Sequence, residues 1–149
     1  MRMQYPKFFQ RIRKLEIGEK EYDGYGNLFL FRNPDKIAVK ISSKFSEDLK
    51  REKIKIFCDS VSLGSILVSP FIHPDEKGIR AVAEESGGKI ILIQYEELGE
   101  MFKPARHDFH QCSEGNLLII SMGYPKETPL TKEICKEMNE LASKIALIY

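Results

Sequence analysis

Cysteine is scarce in this chain: Cys58, Cys112 and Cys135 are odd in number, far apart and without a C-x-x-C pair. That excludes a disulfide framework and leaves reduced thiols as the simplest reading. Charge of one sign is also lacking. With 23 Lys plus Arg against 22 Asp plus Glu, net charge carries no nucleic-acid signal. Met1 to Tyr5 lead into charged sequence without an apolar leader, and no hydrophobic run reaches spanning length. A soluble, cytoplasmic protein with no membrane contact is therefore expected. No internal repeat or low-complexity segment interrupts the 149 residues, which suit one domain with residues 1–36 as an N-terminal helix and lead-in and 37–149 as its core. His107, His110 and Cys112 stand close together, but a structural zinc site takes four ligands and no further Cys or His pair exists. Neither a metal nor a cofactor is expected.

What is present centres on the stretch from Ser65 to Lys77. Its first residues, S-I-L-V, are short and apolar and end at Ser69-Pro70, the pattern of a strand buried on both faces. Pro74 then suits a first helical turn, His73 or Asp75 can serve the exposed amides, and Glu76 puts negative charge at the positive end of the helix dipole. Loops at the carboxyl ends of parallel strands carry ligands in open α/β sheets, so a site is expected here.

Before this stretch, the apolar spacing of Phe8, Phe9, Ile12 and Leu15 predicts a helix over Tyr5 to Leu15. Ile17 to Asn27 reads as a turn-rich connection, Leu28 to Phe31 as a short strand or extended lead-in, and Ile37 to Ile41 as the first core strand. Ser46 is a good N-cap for a helix of about four turns ending near Gly64. After the Pro74 helix, stopped at Gly87-Gly88, come strands at Lys89–Tyr95 and Leu117–Ser121, separated by an irregular or briefly helical stretch. An amphipathic helix over Pro129–Lys144, with Met138 in its core face, precedes a final edge strand at Ala146–Tyr149. Alternation of this kind predicts a single α/β Rossmann-like domain with a mostly parallel sheet and helices on both faces.

No G-x-G-x-x-G or Walker loop follows the first core strand; Ser42-Ser43-Lys44 stands there instead. Two hydroxyls and an ammonium beside a helix N-terminus suit a phosphate, and the serines, with Ser46, equally suit helix capping. Ser69, His73, Asp75, Glu76 and Lys77 lie at the second switch-point loop, where His73 with a carboxylate has the makings of an acid/base pair and the carboxylates also serve the helix dipole. No activated nucleophile can be read from the spacing. Arg106 and its neighbouring histidines are placed on a loop, and Asn139 on a helix facing either crevice or solvent. Near the N-terminus, Lys7, Arg11, Arg13 and Lys14 form a short basic run, read either as a local basic face or as a solvated one.

Taken together, these residues resemble the bacterial DNA-processing protein A family, also called Smf, a branch of the lysine-decarboxylase-like nucleotide-binding superfamily. Tyr5-Pro6 with Phe9 and Ile12 is similar to the family's Y-P-x-x-L-x-x-I opening, and Gly26-Asn27-Leu28 with Ile37-Ala38-Val39 to its G-x-L lead-in and first strand. Ser69-Pro70-Phe71 with Pro74, Glu76 and Lys77 resembles its S-G-F-H-S-P-x-E-K segment. Phe102-Lys103-Pro104, the stretch Glu114 to Leu118, and Thr131, Asn139 and Ala142 are similar to its later motifs. Lys40 to Lys44 departs from the family's G-S-R, and Met138 stands where the family has arginine. The resemblance implies a non-catalytic module for single-stranded DNA or a nucleotide, with backbone contacts from Lys44, Lys77 and Arg106 and with recombination proteins as partners. A homodimer stays open, as do two other readings, a nucleotide-processing enzyme or sensor and a scaffold for protein association. The P-G-G-x-G-T-x-x-E loop of the superfamily's nucleotide-cleaving enzymes is absent from the sequence.

Overall fold

Strands β4 (Ile66–Ser69), β5 (Ile90–Glu96) and β6 (Leu117–Tyr124) are built on apolar runs whose side chains alternate between two cores. Ile66, Val68, Ile91, Ile93, Leu118 and Ile120 point to one side of the sheet. Leu67, Ile90, Leu117 and Ile119 point to the other. A sheet that is apolar on both faces must be covered on both, and the helices divide accordingly.

The computed structural model describes residues 13–148. It is an α/β Rossmann-like domain whose six-stranded sheet has the order β1-β2-β6-β5-β4-β3. The pairs β3–β4, β4–β5 and β5–β6 are parallel, and β2 lies antiparallel to β6. Because β3 (Lys36–Ala38) to β6 follow one another across the sheet in chain order, crossovers of one hand place all their helices on one face. Those are α1 (Glu47–Ser62), α2 (Pro74–Glu85) and α3 (Arg106–Ser113), which supply Phe57, Ile79, Ala83 and Cys112 to the core on that side. The final helix α4 (Lys132–Leu147) returns across the opposite face of β3, β4 and β5, burying Ile134, Met138, Leu141, Ala142 and Ile145. Among the described residues no helix is long and apolar enough to cross a membrane.

Several expectations change. The parallel strands never reverse their order, so the loop after β4 is not a switch point between oppositely wound halves. Residues Ile17 to Asn27 are not a connection: β1 (Arg13–Ile17) and β2 (Lys20–Gly26) form a hairpin turning at Gly18, with φ of 66°, and extend the sheet beyond β6. Two of the glycines that suggested a loop, Gly24 and Gly26, allow close approach instead. A Cβ at Gly26, where φ is 116°, would meet the Leu117 carbonyl oxygen at 2.3 Å. Leu15 belongs to β1 rather than to a helix, and the remainder of the helix expected over Tyr5 to Leu15 lies outside the described residues. Leu28–Arg32 is a 3-10 helix, started by Asn27, whose Oδ1 accepts the Phe29 N–H at 3.1 Å. The helix α4 runs on through Leu147 where an edge strand was expected, because Ile145 still has core to bury and the edge positions are already held by β1 and β3.

Cys112, fully buried beneath β6, is a core side chain whose thiol is pushed from 9.0 up to about 12, mainly by burial and then by the nearby Asp108 carboxylate. The unfolded chain releases this proton near pH 9.0 and the folded chain holds it to about 12, so the folded state loses stability as pH rises through that window. In urea titrations at pH 8 and pH 10.5, the parent's stability relative to Cys112→Ala is expected to narrow by about 1.4 kcal/mol per pH unit above 9.0. An unchanged difference would contradict the assignment of Cys112 as a neutral buried thiol.

Candidate functional site

The carboxyl ends of β3 to β6 share one edge of the sheet, and α1 to α4 all begin there, because each parallel strand is followed by a helix that runs back. Four of the polar side chains expected to bind a ligand, Ser42, Ser69, His73 and Glu76, help to shape this edge, as does Ser46. Ser42 Oγ accepts the Lys44 N–H at 3.1 Å and Ser46 caps α1 by accepting the Leu49 N–H at 3.2 Å. Ser69 is fully buried and accepts the Phe71 N–H at 2.9 Å. That bond supports Phe71 in the left-handed region, at φ of 50°, a strained conformation for a residue with a Cβ.

At the start of α2, His73 Nδ1 accepts the Asp75 N–H at 3.0 Å and is therefore a cap rather than a base. Glu76, only 4% exposed, reaches in both directions. Its Oε1 accepts the His73 N–H at 3.4 Å and its Oε2 accepts the Ile41 N–H at 2.8 Å. The carboxylate thus joins the loop after β3 to the loop after β4 and takes a backbone amide that a bound anion would otherwise use.

Four of the expected residues remain unengaged at this edge: Ser43, Lys44, Lys77 and Arg106, all exposed. Lys44, Lys77 and Arg106 make no ion pair among the described residues, whereas Lys50, Arg51, Lys55 and Arg80 are each paired with a carboxylate. Arg106 opens α3 rather than lying on a loop. Asn139 does not join them. It sits on α4 across the sheet, with Nδ2 donating to the Cys135 carbonyl at 3.1 Å and Oδ1 buried without a partner.

A network that the sequence reading missed stands beside Lys77. Arg80 donates from Nε to Glu84 at 3.1 Å and from its terminal nitrogen to Asp108 at 2.6 Å, while His107 Nε2 lies 3.0 Å from the other Glu84 oxygen. Glu84, His107 and Asp108 bring ligand-type atoms within 4.8 Å of one another. The Arg80 guanidinium bonds both carboxylates, so the cluster works as a clamp between α2 and α3. Pro70, Phe71 and Leu92 floor a cleft of about 250 Å³ beside it. The Arg80–Glu84 spacing was legible in the sequence as a helical i, i+4 pair. Asp108, 28 residues from Arg80, gave no such signal.

No family model, curated protein or solved structure matches this chain.

The Glu76 bridge and the Lys77 side chain are adjacent in sequence and opposite in role. Glu76→Ala leaves the Ile41 and His73 amides without their acceptor, and is expected to lower stability in urea unfolding by about 1–3 kcal/mol. Lys77→Ala should stay within about 0.5 kcal/mol of the parent. Equal effects of the two variants would remove the distinction drawn between structural and outward-facing groups.

Proposed function

We propose that this domain is a non-catalytic binding module for single-stranded DNA or a nucleotide-like ligand, contacting phosphate through Lys44, Lys77 and Arg106 in the manner of the DNA-processing protein A family it resembles. The observation that carries this reading is the set of outward-facing cations at the strands' carboxyl edge, unpaired among the described residues, where every parallel strand ends and every α-helix begins. Ordered side chains beneath them support it, since Glu76 and Ser69 hold the two loops that present Lys44 and Lys77. Contacts of this kind are electrostatic and carry little sequence preference. Partners in recombination are part of the same proposal and rest on the family resemblance alone.

The Glu76 carboxylate favours side-chain contact over a backbone phosphate cradle, because it takes the Ile41 amide for itself. Binding should therefore be modest in strength and steep in its response to salt. In a titration of a fluorescent single-stranded oligonucleotide between 50 and 200 mM salt, three phosphate contacts predict a log–log slope of about −2, at about 0.7 per contact. Lys44→Ala and Lys77→Ala are each expected to reduce that slope by about 0.7 and to weaken binding at low salt. Oligonucleotide binding unchanged in both variants, or absent at low salt, would overturn the proposal.

A further inference from the structure

The opposite edge of the sheet carries a surface that the proposed function does not use. There the chain leaves β2, turns through the 3-10 helix Leu28–Arg32 and enters β3. Phe29 projects from this helix with 76% of its surface exposed. It lines a groove of about 500 Å³ together with Leu15, Leu28 and Phe31 and with three cations, Arg13, Lys14 and Arg32. Glu16 is the one acidic residue along it. Arg32 makes no ion pair among the described residues, and Lys14, though 2.6 Å from Asp23, keeps 67% of its side chain exposed. The Lys14 ammonium has three donors, so it can keep its bond to the largely buried Asp23 carboxylate and still reach an anion.

We infer that this groove is a second contact for single-stranded nucleic acid, with a base stacked on the Phe29 ring and the flanking phosphates held by Arg32 and Lys14. An aromatic face set among cations is the arrangement by which single strands are bound without sequence readout, since every base has a π-face and every linkage a negative charge. Charge selects the occupant: an apolar partner surface would leave Arg32 facing it without a counter-charge among the described residues, while a nucleotide strand brings a phosphate beside each base. Arg13 and Lys14, the last two members of the N-terminal basic run, thereby acquire a structural setting, while Lys7 and Arg11 lie outside the described residues. The 3-10 helix is held from behind by the buried Lys36 ammonium, which donates to the Phe31 carbonyl and lies 5.1 Å from the Phe31 ring centre. Phe29 is thus offered on a supported turn.

The chain contains no tryptophan, so Phe29→Trp creates a single emitter at the stacking position. Its exposure makes the substitution compatible with the fold. Adding an unlabelled single-stranded oligonucleotide is expected to quench that emission, and heparin, which is anionic but has no bases, is not. Phe29→Ala in the otherwise unaltered chain should weaken oligonucleotide binding by about 5- to 100-fold with the salt slope unchanged. Arg32→Ala should lower the slope by about 0.7. No quenching, quenching by heparin or polyglutamate to the same degree, or an emission change with protein concentration alone would overturn the inference, the last by assigning the groove to a second copy of the chain. Loss of binding in Lys44→Ala and Lys77→Ala without quenching at Trp would leave the carboxyl-edge reading standing and remove this one. The reverse pattern would do the opposite.

Discussion

Three strands with apolar side chains on both faces cannot remain in water on either side, and the rest of the molecule is arranged to satisfy that constraint. The crossovers from β3 to β6 cover only one face, because strands added in one direction by connections of one hand keep their helices together. The other face would lie open were it not for α4, which runs back across β3, β4 and β5 with Met138 and Ile145 fully buried. The 3-10 helix contributes Leu30 and Phe31 to the same face. Winding in a single direction therefore explains both the length of α4 and its diagonal reach.

That winding also decides where polar chemistry can gather. All the strand-to-helix loops fall on one edge, and the amides they expose need acceptors. Here the acceptors are internal: Ser46, His73, Glu76 and Thr131 each take a backbone N–H at a helix start. Glu76 matters most among them, since it spans two loops rather than one. With these groups spent on the backbone, Lys44, Lys77 and Arg106 stay exposed at that edge without ion pairs among the described residues.

Two surfaces of different character follow from the same topology. The carboxyl edge offers Lys44 on a loop and Lys77 and Arg106 in the first turns of α2 and α3, with the Arg80 clamp joining those two helices. The opposite edge pairs cations with an exposed ring, and it exists because the chain must travel from β2, second strand from one side of the sheet, to β3 at the far side. The proposed function places a phosphate contact at the first surface, and the inferred groove adds a base contact at the second.

Local interactions were readable in the sequence because their partners lie within one helical turn or along one strand. Ser46 before Glu47-Asp48, His73 before Pro74, the apolar runs of β4 to β6 and the Met138 face of α4 all belong to that class. Of the candidate site, the same reasoning identified the loops but not what their side chains do. Ser69 faces inward to hold Phe71, and Glu76 finds its amide 35 residues away at Ile41. The hairpin of β1 and β2 was hidden because its glycines look like turn residues until β6 is laid against them, and Gly26 is required by the Leu117 carbonyl rather than by its own neighbours. Sequence periodicity by itself determined α1, α2, most of α4 and the buried strands β4 to β6; the β1–β2 hairpin, strand order, the partner of each buried carboxylate and the exposure of Phe29 were decided only when the chain returned upon itself, because those depend on contacts between residues that no local period relates.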